Sequence, residues 1–321
     1  MTNVILEVEN LKKYFPIKEG IFNRTKNYVR AVEDVSFSVR EKETFAIVGE
    51  SGCGKSTTGR SILRLIEPTS GSLIYNGRDL LALSNEELRK LRREIQIIFQ
   101  NPYSSLNPRM TVRKLLSEPL EHNFRLGQGE IKERVEAMVD KVGLSRKHLD
   151  RYPHQFSGGQ RQRISIARSI ITNPKLVIAD EPVSALDVSI QSQILNLLME
   201  LQKDLGLTMI FISHDLNVVR RISNRVAVMY LGSIAEIGHT EDIFNSPLHP
   251  YTEALLSAVP SLDPTVKKQR NILKGEIPSP INPPSGCAFQ TRCSKVMNIC
   301  KEKRPELKEI DKGHRVACHI Y

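Results

Sequence analysis

The sequence predicts an α/β fold: a mixed sheet flanked by helices, with an antiparallel β subdomain, an inserted helical subdomain and a small Cys-rich C-terminal extension. Three observations lead there. Short continuous apolar runs, "TFAIVG" (44–49), "EIQIIF" (94–99), "KLVIAD" (175–180) and "TMIFIS" (208–213), suit central strands covered on both faces. Period-two alternation in "VILEVEN" (4–10) and "VRAVEDVSFSV" (29–39) suits half-buried antiparallel strands. Helical stretches fall between the central runs, at 55–66, 84–93, 130–142, 158–172 and 187–204, the second opened by the capping box "SNEE".

Residues 1–260 read as one body, with the stretch from about 100 to 165 inserted as helices between two core strands. The Pro-rich "GEIPSPINPPSG" (275–286) sets this body apart from the cysteines, so 261–321 reads as an extension. A chain of 321 residues with 40% hydrophobic and 26% charged content buries a full core without stapling. No apolar run approaches a bilayer span, and "MTNVILEVEN" carries no readable secretory signal, so the reducing cytoplasm is expected. The net charge is +10, with its surplus gathered after residue 264. Aromatics at 6%, the absence of Trp and the lack of a base-stacking pattern argue against nucleic acid as the partner.

"GESGCGKST" (49–57) follows an apolar run and opens a helical stretch, the context in which such a loop holds phosphate. Gly49, Gly52 and Gly54 let the backbone turn its N–H groups inward, and the helix adds its positive end. Lys55 then reaches the β- and γ-phosphates and Ser56 ligates Mg²⁺, with Ser51, Cys53 and Thr57 completing the loop. Cys53 stands at a variable position and reads as a small side chain; a partly exposed thiol at a helix start would instead be reactive. The run "KLVIADEP" ends on two carboxylates at the edge of the sheet where ligands bind in such folds. Asp180 would hold Mg²⁺ through water, and Glu181 would polarise the water that attacks the γ-phosphorus. "FSGGQRQRISIARSI" (156–170) makes a second anion-binding helix start, about 100 residues beyond the first. By pattern alone, a second nucleotide bound within the same subunit is the plain explanation of that second end and stays open.

At these residues the chain resembles an ATP-binding cassette (ABC) ATPase, in order through residues 1 to about 260. The resemblance identifies the core as that of a P-loop NTPase. It implies that Ser157, Gly158, Gly159 and Gln160 contact the γ-phosphate of ATP held by the opposite subunit of a head-to-tail dimer. Tyr14 in "NLKKYFP" resembles the aromatic that stacks on adenine, with Phe15 the competing residue. Gln100 in "IIFQNP" resembles the glutamine that senses Mg²⁺ and couples to the membrane partner, Asp187 in "SALD" an aspartate that communicates across the dimer, and His214 in "FISHD" the switch histidine. Glu181, His214 and Lys55 are thus the expected catalytic residues of an ATPase.

"NPYSSLNPRMTV", "SPLHPYTEALLSAVP" and the tail resemble the ATP-binding subunits of oligopeptide and dipeptide permeases, particularly the F-type member of their paired F and D subunits. "NPYSSLNP" alone reads as a turn-rich loop whose exposed Tyr103 and Leu106 would dock a partner helix. The resemblance implies a second, D-type ATPase subunit, two integral-membrane permease subunits, an extracytoplasmic substrate-binding protein reached indirectly, and a place at the cytoplasmic face of the membrane. Peptide is the expected cargo, nickel or another small solute the alternative. A soluble cassette ATPase acting on nucleic acid or ribosomes has only the basic tail behind it.

Cys287, Cys293, Cys300 and Cys318 crowd the last stretch of a chain with one other cysteine. In a reducing compartment they read as a four-thiolate metal site. The spacings lack the tight pairs usual for structural zinc and leave the metal open. Similar tails in peptide-permease ATPases imply a [4Fe-4S] cluster, serving as a staple for a short polar tail, with Zn²⁺ or unliganded thiols as the alternatives.

Overall fold

The computed structural model describes residues 3–19, 24–258, 273 and 275–321. Two compact units emerge, Met1–Leu81 with Ser213–Tyr321, and Ala82–Ile212. The expected boundary between 260 and 261 lies outside the described residues.

The first unit opens with β1 (Val4–Glu19) and β2 (Arg24–Arg40), an antiparallel pair interrupted by bulges. After β3 (Thr44–Val48) and α1 (Lys55–Ile62) come β4 (Ser70–Tyr75) and β5 (Arg78–Asp79), which complete a sheet of order β2-β1-β4-β5. Alternation in β1 sends Leu6 and Val8 inward, both essentially buried, while Glu7 and Glu9 face solvent. The α1 helix stops four residues short of the sequence expectation because Arg64 takes a left-handed φ of 49°, which no helix continues.

The second unit holds α2 (Asn85–Leu91), β6 (Ile95–Ile98), α3 (Pro102–Ser105), α4 (Val112–Asn123), α5 (Gln128–Lys141), α6 (Gly158–Ile170), β7 (Leu176–Asp180), α7 (Val188–Leu205) and β8 (Thr208–Ser213). The capping box at Ser84 forms as expected, its hydroxyl accepting from Glu87 N while Glu87 returns the bond. β6, β7 and β8 pair in parallel, and every residue of β7 and β8 is buried. That is why they read as unbroken apolar runs; each fully buried Ile or Val contributes about 1.5–3 kcal/mol.

The "NPYSSLNP" segment corrects one expectation. Its Pro102–Ser105 stretch is helical rather than a loop, and Leu106 is only 3% exposed, so it cannot dock a partner. Arg168 Nη1 donates to Ser105 O (3.1 Å) and the Ser105 and Ser165 hydroxyls share a 3.3 Å bond, pinning the segment to α6. The Tyr103 side chain lies outside the described residues.

The chain then returns to the first unit through α8 (Leu216–Ile222), β9 (Arg225–Tyr230), β10 (Ser233–His239), α9 (Thr240–Asn245), α10 (Pro250–Ala258), α11 (Ile299–Glu302), β11 (Lys308–Asp311) and β12 (His314–Val316). β3 pairs in parallel with β9, and β10, β12 and β11 follow in that order. The tight β9–β10 turn uses positive φ at Leu231 and Gly232, the geometry that matches strand twist. The extension is therefore part of this unit's sheet, not a separate appendage. No helix among the described residues is long and apolar enough to cross a membrane.

Candidate functional site

The first unit carries the phosphate loop. It leaves β3, whose five residues are all buried, and enters α1 through Gly54 at a φ of 102°. A side chain at Gly54 would meet Ala31 O at 2.1 Å, and one at Gly49 would meet Met229 O at 2.2 Å, so backbone crowding excludes any larger residue at either place. Lys55 is buried, its ammonium donating to Gly49 O at 2.8 Å and Glu50 O at 3.0 Å. Ser56 and Thr57 follow in the first turn of the helix, while Ser51 and Gly52 face solvent. Cys53 is 5% exposed, and burial pushes its thiol up despite the nearby Lys55. Of the two readings of this cysteine, the small inert side chain is the one that fits.

Tyr14 and Phe15 are neighbours on β1 with different surroundings. Both carboxylate oxygens of Glu33 accept from the Tyr14 hydroxyl at 2.7 Å, and the Arg30 guanidinium stands 5.9 Å from the ring centre. Burial, reinforced by Glu33, pushes the phenol up to about 12. Phe15 is exposed, with the Lys13 ammonium over its ring. His214 also belongs to this unit and is exposed. Its turn is fixed on the following side, where Ser213 Oγ accepts from Asp215 N and Asp215 caps α8.

The second unit gathers the acidic pair and the glycine-lined helix end. Asp180 is 1% exposed at the last position of β7. Glu181 follows with a φ of 47°, a left-handed conformation costly for a side chain of its kind, and its amide is held by Ile212 O at 3.0 Å. Gln100 Nε2 donates to Glu181 Oε2 at 3.0 Å and to Ser184 Oγ at 3.3 Å. Two residues chosen separately from sequence are thereby joined, although 81 positions apart. Beside them lies a cavity of about 430 Å³ lined by Gln100, Gly158 and Leu186 among others.

Ser157 is the N-cap of α6 and forms a complete capping box with Gln160: its hydroxyl accepts from Gln160 N, and Gln160 Oε1 accepts from Ser157 N. Gly159 is required by packing, since a side chain there would sit 2.6 Å from Ile190 of α7. Asp187 opens α7 without capping it, and its neighbour Val188 is 79% exposed.

The four tail cysteines are all free thiols and share one neighbourhood. Cys287 N donates to Cys300 O at 2.8 Å. Burial pushes the Cys287 thiol up to about 11 and raises Cys293 and Cys318, and the neighbouring sulfurs push in the same direction. Burial thus keeps these thiols protonated, and only a bound cation would offset the charge of the thiolates that ligate a metal. Among the described residues, however, no group of three or more His, Cys, Asp or Glu converges closely enough to hold an ion.

A strand-bound phosphate loop, an acidic pair ending a buried parallel strand and a capped glycine-lined helix end define a nucleotide-hydrolysing cassette. The family described as "ABC transporter" matches residues 32–184, and "Oligopeptide/dipeptide transporter, C-terminal region" matches residues 235–300. The chain is 54% identical to the oligopeptide transport ATP-binding protein AppF of Bacillus subtilis, over 99% of this chain and 97% of that protein. It is 52% identical to the dipeptide transport ATP-binding protein DppF of Escherichia coli, over 98% and 93%. The solved dimeric cassette MJ0796, in a post-hydrolysis state bound to ADP and Pi, superposes with a TM-score of 0.66 at 29% identity, over 74% of this chain and 99% of that one. The chain belongs to the ABC transporter family, among the ATP-binding proteins of the oligopeptide/dipeptide type, and is an ATPase. Membership implies pairing of two cassettes and membrane-spanning partner subunits.

Proposed function

We propose that this chain is the ATP-hydrolysing subunit of an importer for oligopeptides or dipeptides. Near-full-length similarity to transport proteins bearing those names supports the cargo class. Residues 1–260 act as the nucleotide-binding domain, 100–165 as its helical subdomain and 261–321 as the extension. The partner cassette is a D-type paralogue. The pair sits peripherally at the cytoplasmic face of the membrane, on two permease subunits supplied by an extracytoplasmic binding protein.

The phosphate loop, from Gly49 through Thr57, cradles the triphosphate with its N–H groups, and Lys55 neutralises the β- and γ-phosphates. Ser56, Gln100 and, through water, Asp180 would hold Mg²⁺, which when bound would supply positive charge against the phosphates. Glu181 accepts a proton from the attacking water, and His214 orients that water against the γ-phosphate. Tyr14 stacks on adenine; its ring is the more firmly oriented of the two candidates, through Glu33. Ser157, Gly158, Gly159 and Gln160 meet the γ-phosphate held by the partner cassette, and Asp187 reads the partner's state. Closure on ATP and reopening after hydrolysis switch the permease. Cys287, Cys293, Cys300 and Cys318 hold a [4Fe-4S] cluster or, in the alternative, Zn²⁺, as a structural staple.

The observation that carries the hydrolytic reading is Glu181: a strained left-handed residue at the end of a buried strand, with the Gln100 amide on its carboxylate. Glu181→Gln keeps the shape of the site and removes the base. It should bind ATP as the natural chain does and lose nearly all steady-state turnover, by about 10²-fold or more. Unchanged turnover in that variant refutes the assignment.

A further inference from the structure

The C-terminal extension reaches both ends of the candidate nucleotide site in its own unit through two arginines. Arg292 lies between Cys287 and Cys293, and its side chain is 6% exposed. It grips Glu50 with both prongs, Nη1 to Oε2 at 2.7 Å and Nη2 to Oε1 at 3.0 Å, while its guanidinium stands over the Tyr230 ring at 5.8 Å. Glu50 is the second residue of the phosphate loop, and its backbone N donates to Tyr251 Oη at 3.0 Å. At the other end, Arg304 Nη2 donates to Glu33 O at 2.9 Å and Ser233 Oγ at 2.6 Å. Glu33 is the residue whose carboxylate holds the Tyr14 hydroxyl.

Two physical effects follow from Arg292. A bidentate guanidinium–carboxylate fork fixes orientation as well as position, so the Glu50 stretch of the loop keeps one shape before any phosphate arrives. Glu50 is also the only acidic residue in "GESGCGKST". Left unpaired, its charge would oppose an incoming polyanion at close range.

We propose that the extension is a brace that preorganises nucleotide binding in its own chain, with Arg292 as the positioning residue for the phosphate loop and Arg304 as that for Tyr14. The Arg304 half rests on the reading of Tyr14 as the residue that meets adenine. Neither half depends on the cargo or on what the thiols hold.

The test is equilibrium binding of ATP and of inorganic tripolyphosphate to the full-length chain, with steady-state ATPase beside it. Arg292→Gln should weaken both ligands about tenfold. It should raise KM for ATP in step while kcat stays within about twofold. The double variant Glu50→Gln/Arg292→Gln should recover much of the lost affinity, because the unpaired charge is gone. Arg304→Gln should weaken ATP about fivefold and leave tripolyphosphate binding unchanged. Lys295→Ala breaks an exposed tail pair with Glu253 and should change neither ligand. If Arg292→Gln does not fold, Arg292→Lys, which keeps the charge and loses the fork, carries the same expectation at smaller size. Unchanged tripolyphosphate affinity in a folded Arg292 variant overturns the brace, as does an equal loss in Lys295→Ala. A normal Tyr14→Ala affinity beside a weakened Arg292→Gln would remove only the adenine half.

Discussion

His314 Nε2 lies 2.7 Å from Glu236 Oε1, and Glu236 is fully buried. The same carboxylate accepts from Leu248 N at 2.8 Å and His249 N at 2.9 Å. One buried acid therefore ties together the β10 strand that carries it, the start of α10 and the β12 strand of the extension.

Removing the imidazole takes one of three hydrogen-bond partners from a buried carboxylate. His314→Ala should cost about 1–3 kcal/mol of unfolding free energy, seen as a lower denaturant midpoint. The paired change Glu236→Gln/His314→Ala should cost less than the two single changes added together. Strict additivity in that cycle would show that the two residues do not act on each other.

His249 supplies the pH dependence. Burial pushes its imidazole down to about 4, against the opposing pull of Glu236, so the folded protein holds it neutral. The unfolded chain protonates it near its ordinary value, and binds more protons than the folded one between about pH 6.5 and 4. Stability should therefore fall as pH falls through that window, with His249 contributing up to about 1.4 kcal/mol per unit. His249→Gln, which retains an acceptor for Tyr251 N, should flatten the slope relative to the natural chain. Parallel slopes in the two proteins would assign the pH dependence elsewhere.

The tail cysteines offer a colour test. Anaerobically purified protein should be brown and yield iron with acid-labile sulfide, and removing the metal should loosen the extension first. A colourless preparation rich in zinc would replace the cluster with the alternative ion. Metal-free protein with an unchanged melting curve would show that the thiols staple nothing.

What could be read in advance depended on how local the signal was. β3, β7 and β8 announced themselves because both faces of each are buried, and the phosphate loop because its glycines, lysine and helix are contiguous. The α6 start was legible for the same reason: Ser157, Gly158 and Gly159 stand directly before an apolar helical run, to which the structure adds the capping box of Ser157 with Gln160. β11 was not, since all four of its residues are exposed and only backbone pairing to β12 makes it a strand. α4 carries Pro119 in its interior, a residue that argues against a helix when no packing is visible. The Glu50–Arg292 fork spans 242 positions and leaves no trace in either neighbourhood. Leu106 misled because an apolar residue between prolines resembles bait for a partner until its burial is known.

The capping box at Ser157 has a consequence for assembly. In a solitary protomer the serine hydroxyl already satisfies the amide of Gln160, one of the donors that a helix start leaves over. If that tip closes on a neighbour's phosphate, the Gln160 amide would exchange one bond for another, whereas the amides of Gly158 and Gly159 owe nothing to the serine hydroxyl. The serine thus sets the shape of the tip in advance, and a ligand meeting it finds donors already aimed.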